Sequence, residues 1–374
     1  MRRAALMVIG LAVAVTAVAQ VPEEEALRRF TQAYLSHAFG AVVELRVDRR
    51  AAAPGKGYAA ITAIRSTPAG QKEQLSLLLD PETRTVTAGL AFPLNAADPA
   101  VTPATLPAFA ERVLPGMLQQ MFGTRMRVSW PAIPMRPSGV VPLVAQMSTG
   151  YGNSPVPIAI SADARVLVLG NTWPLDRDPR QVRREILKDA TIQWDTGNPS
   201  APLQLVEFSD YQCPACKRGW AEAKKVLERM GDKVRHGLVN YPLVQNHPWA
   251  FRASVAGVCV GQQSETLVLE LKEEMYRLQS TLTPSTVDDA AFAFVAQRGL
   301  DEAAFRACYL KDSAVEQVLA QMGVAQRMGV LGTPTYFVNG EMIALGDTEA
   351  AVARMNAILA AGGIPERAAA TPRR

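Results

Sequence analysis

The sequence predicts an α+β N-terminal region followed by an α/β domain, and three observations carry that expectation. A pattern of one helix and an antiparallel hairpin occurs twice in the first half of the chain. After residue 195 strand and helix alternate, give way to a run of helices, and return as a hairpin and a last helix. The start of this second part holds Cys213-Pro-Ala-Cys216, two cysteines two residues apart where an apolar strand passes into an amphipathic helix.

The first nineteen of the 374 residues read as a targeting segment, with Arg2 and Arg3, an apolar run from Ala4 to Val15, and Ala17-Val18-Ala19 as a cleavage site. Their removal leaves 355 residues, with 37 basic against 35 acidic side chains, a balance that implies no nucleic-acid partner. A retained membrane anchor is the weaker alternative, because a spanning helix needs about 20 apolar residues. The expected compartment is the periplasm, or the exterior where there is no outer membrane, and disulfides persist there. A chain of this length exceeds one ordinary domain. The expected division is 1–19 signal peptide, 20–100 and 101–194 as two N-terminal α+β units, 195–362 as the second domain with a helical insertion at about 246–328, and 363–374 as a disordered tail.

The N-terminal duplication rests on a superposition of 77–94 on 158–175. A constant shift of 81 sets Arg84 on Arg165, Gly89 on Gly170, and Phe92-Pro93-Leu94 on Trp173-Pro174-Leu175. A helix ending in Phe-Gly precedes each copy, Ala26 to Gly40 and Ala108 to Gly123, and strands follow at Val42 to Val47 and Arg125 to Trp130. Each unit is therefore a helix and three or four antiparallel strands, as a duplication gives. Tyr34, Tyr58, Phe92, Trp130, Tyr151 and Trp173 read as core or interface aromatics rather than a ligand cage. His37 reads as structural, and the proline-rich run from Pro131 to Pro142 as a loop or edge. No catalytic cluster is present in this half.

In the second half, Asp195 to Pro202 is rich in turn formers and follows a charged helix from about Arg180 to Lys188. Leu203, Leu205, Val206 and Phe208 make a strand, and Cys216, Trp220, Ala223, Leu227 and Met230 form one apolar helical face. Cys216 thus begins a buried stripe, while Cys213 lies at the helix mouth with Pro214 at the first helical position. Free N–H groups and the positive end of the macrodipole stabilise a thiolate at Cys213, lowering its pKa into the roughly 3.5–7.5 range of such sites. Cys216 can then attack a mixed disulfide at Cys213 and close the pair. Half of a zinc site is the alternative, but Cys259 and Cys308 stand alone with no histidine beside them, so neither metal nor cofactor is expected. A second strand at Val234 to Val239 and helices from about Pro248 to Val260, Glu265 to Leu278, Val287 to Gln297, Asp301 to Leu310 and Val315 to Met328 follow. The chain returns to strand at Thr335 to Val338, turns at Asn339-Gly340 into Glu341 to Leu345, and ends in a helix from Thr348 to Ala360.

Phe208-Ser-Asp-Tyr-Gln-Cys-Pro-Ala-Cys216, His247-Pro248 and Gly332-Thr-Pro-Thr-Tyr-Phe-Val-Asn-Gly340, in that order, resemble the DsbA-like thiol-disulfide oxidoreductases, whose thioredoxin fold carries a helical insertion. The resemblance covers residues 195–362 and implies that Pro334 is a cis-proline facing the Cys213–Cys216 pair, with Thr333 backbone groups binding an extended substrate. It further implies a buried acid at Glu207 able to relay the proton of Cys216, against the alternative of an edge-exposed carboxylate. Pro214 and Ala215 offer the thiolate no side-chain hydrogen bond, which leaves the potential open. For Cys259 and Cys308 an oxidising compartment favours a structural disulfide over two buried thiols.

The function expected is a protein thiol-disulfide oxidoreductase, periplasmic or secreted, acting on cysteine-containing exported proteins and regenerated by an unidentified redox partner. Its direction, oxidase or isomerase and reductase, stays open. DsbC and DsbG also carry an N-terminal helix-and-sheet module, used to dimerise, and that architectural likeness brings in a homodimer through the N-terminal region. A chaperone-like protein that grips clients with its paired sheets, its redox site secondary, is the alternative from another class.

Overall fold

A computed structural model describes residues 23–35, 42–47, 57–66, 72–94, 102, 104–122, 126–129 and 138–362. The targeting segment, His37, Trp130 and the expected C-terminal tail lie outside these residues. Helix α1 (Glu24–Tyr34) lays Leu27, Phe30 and Tyr34 against a sheet of β1 (Val42–Val47), β2 (Ala59–Ser66), β3 (Lys72–Asp80) and β4 (Thr85–Pro93). Helix α2 (Leu106–Phe122) repeats this with Phe109, Leu114 and Leu118 over β5 (Met126–Ser129), β6 (Val140–Ser148), β7 (Asn153–Ser161) and β8 (Val166–Pro174). The first helix is shorter than the sequence predicts. It ends at Tyr34 because the Tyr34 carbonyl accepts from the guanidinium of Arg183, 3.1 Å away, instead of continuing the helical ladder, and Leu35 turns extended.

All eight strands join one antiparallel sheet in the order β1-β2-β3-β4-β8-β7-β6-β5. The seam is β4 against β8, where Gly89 lies opposite Gly170 and Val86, Phe92 face Trp173, Leu167. These are the residues that the shift of 81 equates, so the two units meet about a local twofold at the paired glycines. A side chain has no room there: a Cβ on Gly89 would stand 1.9 Å from the Leu169 carbonyl oxygen, and one on Gly170 2.0 Å from that of Ala88. Pro142, expected in a loop or edge, lies inside β6. β5 pairs only with Val144–Met147, so among the described residues that flank of β6 is open at Pro142 and no ladder bond is forfeited.

Helix α3 (Pro179–Lys188), capped by Asp178 accepting from the Arg180 N–H at 2.8 Å, leads into the second sheet. Its members are β9 (Gln193–Gly197), β10 (Leu203–Ser209), β11 (Val234–Asn240), β12 (Thr335–Val338) and β13 (Glu341–Ile343), ordered β13-β12-β10-β11-β9. The parallel β10–β11 pair is bridged by α4 (Pro214–Met230), whose buried face is Cys216, Trp220, Ala223, Val226 and Met230, with Leu227 half-buried. β9 corrects the expectation of a turn-rich lead-in from Asp195. Trp194 packs under the Arg235 guanidinium at 4.4 Å and the strand pairs with β11 as far as Gly197, which sits opposite Arg235 at φ 94°. Asn339 and Gly340, at φ 50° and 83°, make the tight turn between β12 and β13, and α10 (Thr348–Ala360) closes the domain.

Between β11 and β12 run α5 (Ala250–Gln263), α6 (Glu265–Leu278), α7 (Val287–Gln297), α8 (Glu302–Tyr309) and α9 (Asp312–Arg327). A disulfide joins Cys259 of α5 to Cys308 of α8. These helices share one continuous core with α2, β6, β7 and β8. Tyr151, 40% exposed, stacks on Phe251 with ring centroids 4.2 Å apart, an interface aromatic between the two halves.

Gly89→Ala is expected to lower stability by about 3 kcal/mol, the upper range for forced overpacking. Gly116→Ala, in the exposed middle of α2 with nothing within 4 Å, raises it by about 0.5–1 kcal/mol. Urea unfolding midpoints that fail to separate these variants in opposite directions contradict the packed seam.

Candidate active site

The turn from β10 into α4 is built on Asp210. Its side chain is fully buried: Oδ1 accepts from the Gln212 N–H at 2.7 Å and the Cys213 N–H at 3.1 Å, and Oδ2 accepts from the Leu243 N–H at 2.7 Å and meets His247 Nδ1 at 2.7 Å. The Gln212 amide oxygen accepts from the Trp249 N–H at 2.9 Å. Both contacts pin the cysteine turn to the segment that follows β11. Cys213 stands at the helix N-cap with extended backbone, and Pro214 follows at the first helical position.

Opposite lies the Thr333–Pro334 peptide, which is cis, with the Thr333 carbonyl 3.5 Å from Cys213 Sγ. Helix α4 comes close to this loop at Gly219, where a Cβ would meet Pro334 Cγ at 2.8 Å. Cys213, Cys216, Thr333 and Pro334 thus lie together. Cys213, placed by the sequence at the helix mouth, is only 5% exposed, because the loop ending at Pro334 lies directly over it, and Cys216 is wholly buried.

Both cysteines are free thiols here, and their proton affinities diverge. A hydrogen bond from the Cys216 thiol, helped by Thr333 and the Cys216 N–H, holds Cys213 down to about 5 against burial and the nearby Asp210 charge. Burial, with the hydrogen bond to and charge of Cys213, pushes Cys216 far above the ordinary thiol range. His247 is raised by its bond to Asp210, against partial burial, and the Cys213 charge adds to the rise.

Against Trp220, which shares a core cluster with both cysteines, sits a buried ionic cluster. Glu207, fully buried on β10, accepts from Lys272 Nζ at 2.6 Å and faces His236 Nε2 at 3.2 Å, whose Nδ1 meets Asp195 at 2.7 Å. Lys272 Nζ also lies 4.1 Å from the Trp220 ring centroid. Burial alone raises the Glu207 carboxyl, but Lys272 and His236 override it and hold it near 2. Burial likewise lowers His236, and the two carboxylates override that and lift it to about 9. This departs from the proton relay expected of Glu207: an acid near 2 is too weak a base to take a thiol proton in the neutral range. Sequence reasoning missed Asp210, Asp195, His236 and Lys272 as members of the site. Lys272 left a readable trace, a charge inside the apolar stripe Val268, Leu271, Met275, Tyr276 of α6. Among the described residues no group of three or more His, Cys, Asp or Glu is arranged to hold a metal.

Two measurements follow from these shifts. Cys216→Ala removes the thiol that stabilises the Cys213 thiolate, so the pH midpoint of Cys213 alkylation, about 5 with both cysteines, moves upward; an unmoved midpoint excludes the sulfur–sulfur hydrogen bond. His236, at about 9 in the fold against an ordinary 6.5, contributes stability that is complete below about 6.5 and lost as pH rises through 9. Glu207, near 2 against 4.5, contributes stability complete above about 4.5 and lost as pH falls toward 2. Unfolding free energy therefore declines between about pH 6.5 and 9, and His236→Gln flattens that decline.

Residues 190–360 match the family model described as Thioredoxin. Among curated proteins, the chain is 29% identical over 188 residues to the Na(+)/H(+) antiporter NhaA 1 of Mycobacterium sp. (strain KMS), a match covering 48% of this chain and 30% of that protein, so it spans under a third of that relative's length. It is 25% identical over 189 residues to the probable disulfide bond formation protein D of Bacillus anthracis, covering 48% of this chain and 84% of that one. Among solved structures, ScsC of Proteus mirabilis in a compact conformation aligns at a TM-score of 0.41 with 21% identity over 50% of this chain and 81% of its own, and oxidised BdbD of Bacillus subtilis at 0.39 with 20% identity over 46% and 99%. No helix among the described residues is long and apolar enough to cross a membrane. With its two cysteines at the mouth of α4, a cis-proline opposite and five helices set into the sheet, the segment 190–360 is a thioredoxin-like domain, as the family model that matches it describes.

Proposed function

We propose that the chain is a thiol-disulfide oxidoreductase that exchanges disulfides with the cysteines of exported proteins through Cys213 and Cys216. The observation that carries this reading is the opposed tuning of the two thiols: Cys213 is held near 5 at a helix N-terminus while Cys216 is pushed high and buried beside it. Only one of the pair is then a thiolate at neutral pH, as a nucleophile-and-resolver division needs. In the oxidising direction a substrate thiolate attacks Cys213 of the protein disulfide, the Cys213–Cys216 bond breaks, and Cys216 leaves and takes a proton. A second substrate thiolate attacks the substrate sulfur of the mixed disulfide, and Cys213 departs as a stable thiolate. A redox partner then reoxidises the pair. Thr333 and Pro334 would hold the substrate backbone, and Glu207 would act as a fixed counter-charge to Lys272 and His236. A thiolate held low favours the dithiol form and so makes the disulfide an oxidant. The Cys259–Cys308 bond accords with an oxidising compartment.

Equilibration with glutathione tests the direction: an oxidant lies closer to ~ −120 mV than to ~ −270 mV. Cys213→Ala is expected to abolish oxidation of a reduced, unfolded protein substrate, and a variant that still turned over disulfides would overturn the assignment.

A further inference from the structure

The seam of the N-terminal sheet is covered at its ends, where α1 packs with Val86 and Trp173 and α2 shares a core with Leu167, while Leu90 between them stands exposed. What faces the seam is the redox domain, and between them runs a cleft of about 560 Å³, within the 300–1,000 Å³ common to ligand sites. One wall is sheet: Ala88 and Leu90 of β4 stand opposite Asn171 and Leu169 of β8, with Met147 and Val156 beside them. The other wall is the pair of loops that flank Cys213, residues 241–246 and 329–331.

Two routes connect this cleft to the reactive sulfur. Leu331 lies two residues before Thr333, whose carbonyl is 3.5 Å from Cys213 Sγ. Leu243 gives its N–H to Asp210, which also accepts the Cys213 N–H. The chemistry of the lining selects its occupant. None of the residues lining the cleft is charged, in a chain where 20% of residues are, and Leu90 and Leu331 stand 52% and 58% exposed at it.

We propose that this cleft receives an apolar, uncharged stretch of the polypeptide whose cysteine reacts at Cys213, so that the duplicated sheet serves as one jaw of the substrate site. The proposal rests on thiol exchange at Cys213 and adds to it the class of sequence preferred beside the reacting cysteine. Burying one or two aliphatic side chains favours the apolar sequence, so a preference of at least about tenfold is expected.

The test uses the full chain with Cys216→Ala, reduced, and two ten-residue peptides carrying one cysteine as a mixed disulfide with 2-nitro-5-thiobenzoate. Leucine and valine flank the cysteine in one peptide, serine and glycine in the other. The Cys213 thiolate attacks the peptide sulfur, a Cys213–peptide disulfide forms, and nitrothiobenzoate leaves with the electron pair and is read by absorbance, with no net oxidation. The apolar peptide is expected to react about tenfold faster, Leu90→Glu to bring the ratio close to one, and Leu90→Met to restore it. A ratio near one before substitution, or one that Leu90→Glu leaves unchanged in a folded protein, overturns the proposal. If neither peptide reacts, thiol exchange itself fails, and the cleft is judged by fluorescence anisotropy of a cysteine-free apolar peptide: binding that Leu90→Glu abolishes upholds the cleft, and no binding overturns it. Loss of self-association in Leu90→Glu without change in the peptide ratio would assign the cleft to a second copy of the chain and overturn the proposal.

Discussion

The carboxylate of Asp210 fixes the geometry on which the candidate site depends. Its two oxygens are shared among three backbone N–H groups and one imidazole, so a single buried anion sets the turn before α4, the direction of the Cys213 N–H and the path of the segment that follows β11. A buried carboxylate is tolerable only when its lone pairs are filled, and here each oxygen meets two partners. The arrangement has an electrostatic cost at the sulfur, because the Asp210 charge raises the Cys213 thiol. His247 answers it. Bound to Asp210 and lifted in pKa, it carries positive charge more readily beside the anion and within the field of the thiolate.

A second buried ion joins the halves of the molecule. Arg183 of α3 is wholly buried, donates to the Tyr34 and Met328 carbonyls at 3.1 Å each, and lies 4.7, 5.5 and 5.0 Å from the ring centroids of Tyr34, Trp173 and Phe337. Those partners come from the first N-terminal unit, the last strand of the second unit, the end of α9 and a central strand of the redox sheet. A guanidinium suits this position because its flat faces stack on aromatics while its edge donates, which an ammonium cannot do. Together with the core that α5 and α9 share with the second unit, this contact makes the duplicated sheet a fixed neighbour of the cysteines rather than a tethered module.

The redox half was legible in the sequence because its signals are local. Cys213 and Cys216 announce themselves by spacing, the helix bounds of α6, α7 and α10 follow from apolar periodicity, and Asn339-Gly340 dictates its turn. The repeat was legible for a related reason: the paired glycines of the seam tolerate no side chain, so they persist in both copies. What escaped was set by long-range contact. Residues Asp195 to Gly197 read as turn formers, yet edge pairing with β11 outweighed local preference. Glu207 was expected to lie buried, but its proton affinity depends on Lys272, 65 residues away on α6, and on His236 of the neighbouring strand. The cover over Cys213 likewise comes from a loop 120 residues further on.

The cluster around Glu207 also bears on where the Cys216 proton goes. With Glu207 held near 2, the Cys216 thiol is hydrogen-bonded to the Cys213 sulfur, and that one bond lowers one thiol while raising the other. The coupling is useful because it changes during exchange. Once Cys213 is tied up in a mixed disulfide it carries no charge and is a poor acceptor, so two of the causes that push Cys216 upward vanish together, leaving burial as the main one. In the exchange proposed here, Cys216 would therefore be easier to ionise in the mixed disulfide than in the free pair. Burial, the largest of those causes, persists, and the buried ions of Glu207, Lys272, His236 and Asp195 tie β9, β10, β11 and α6 together.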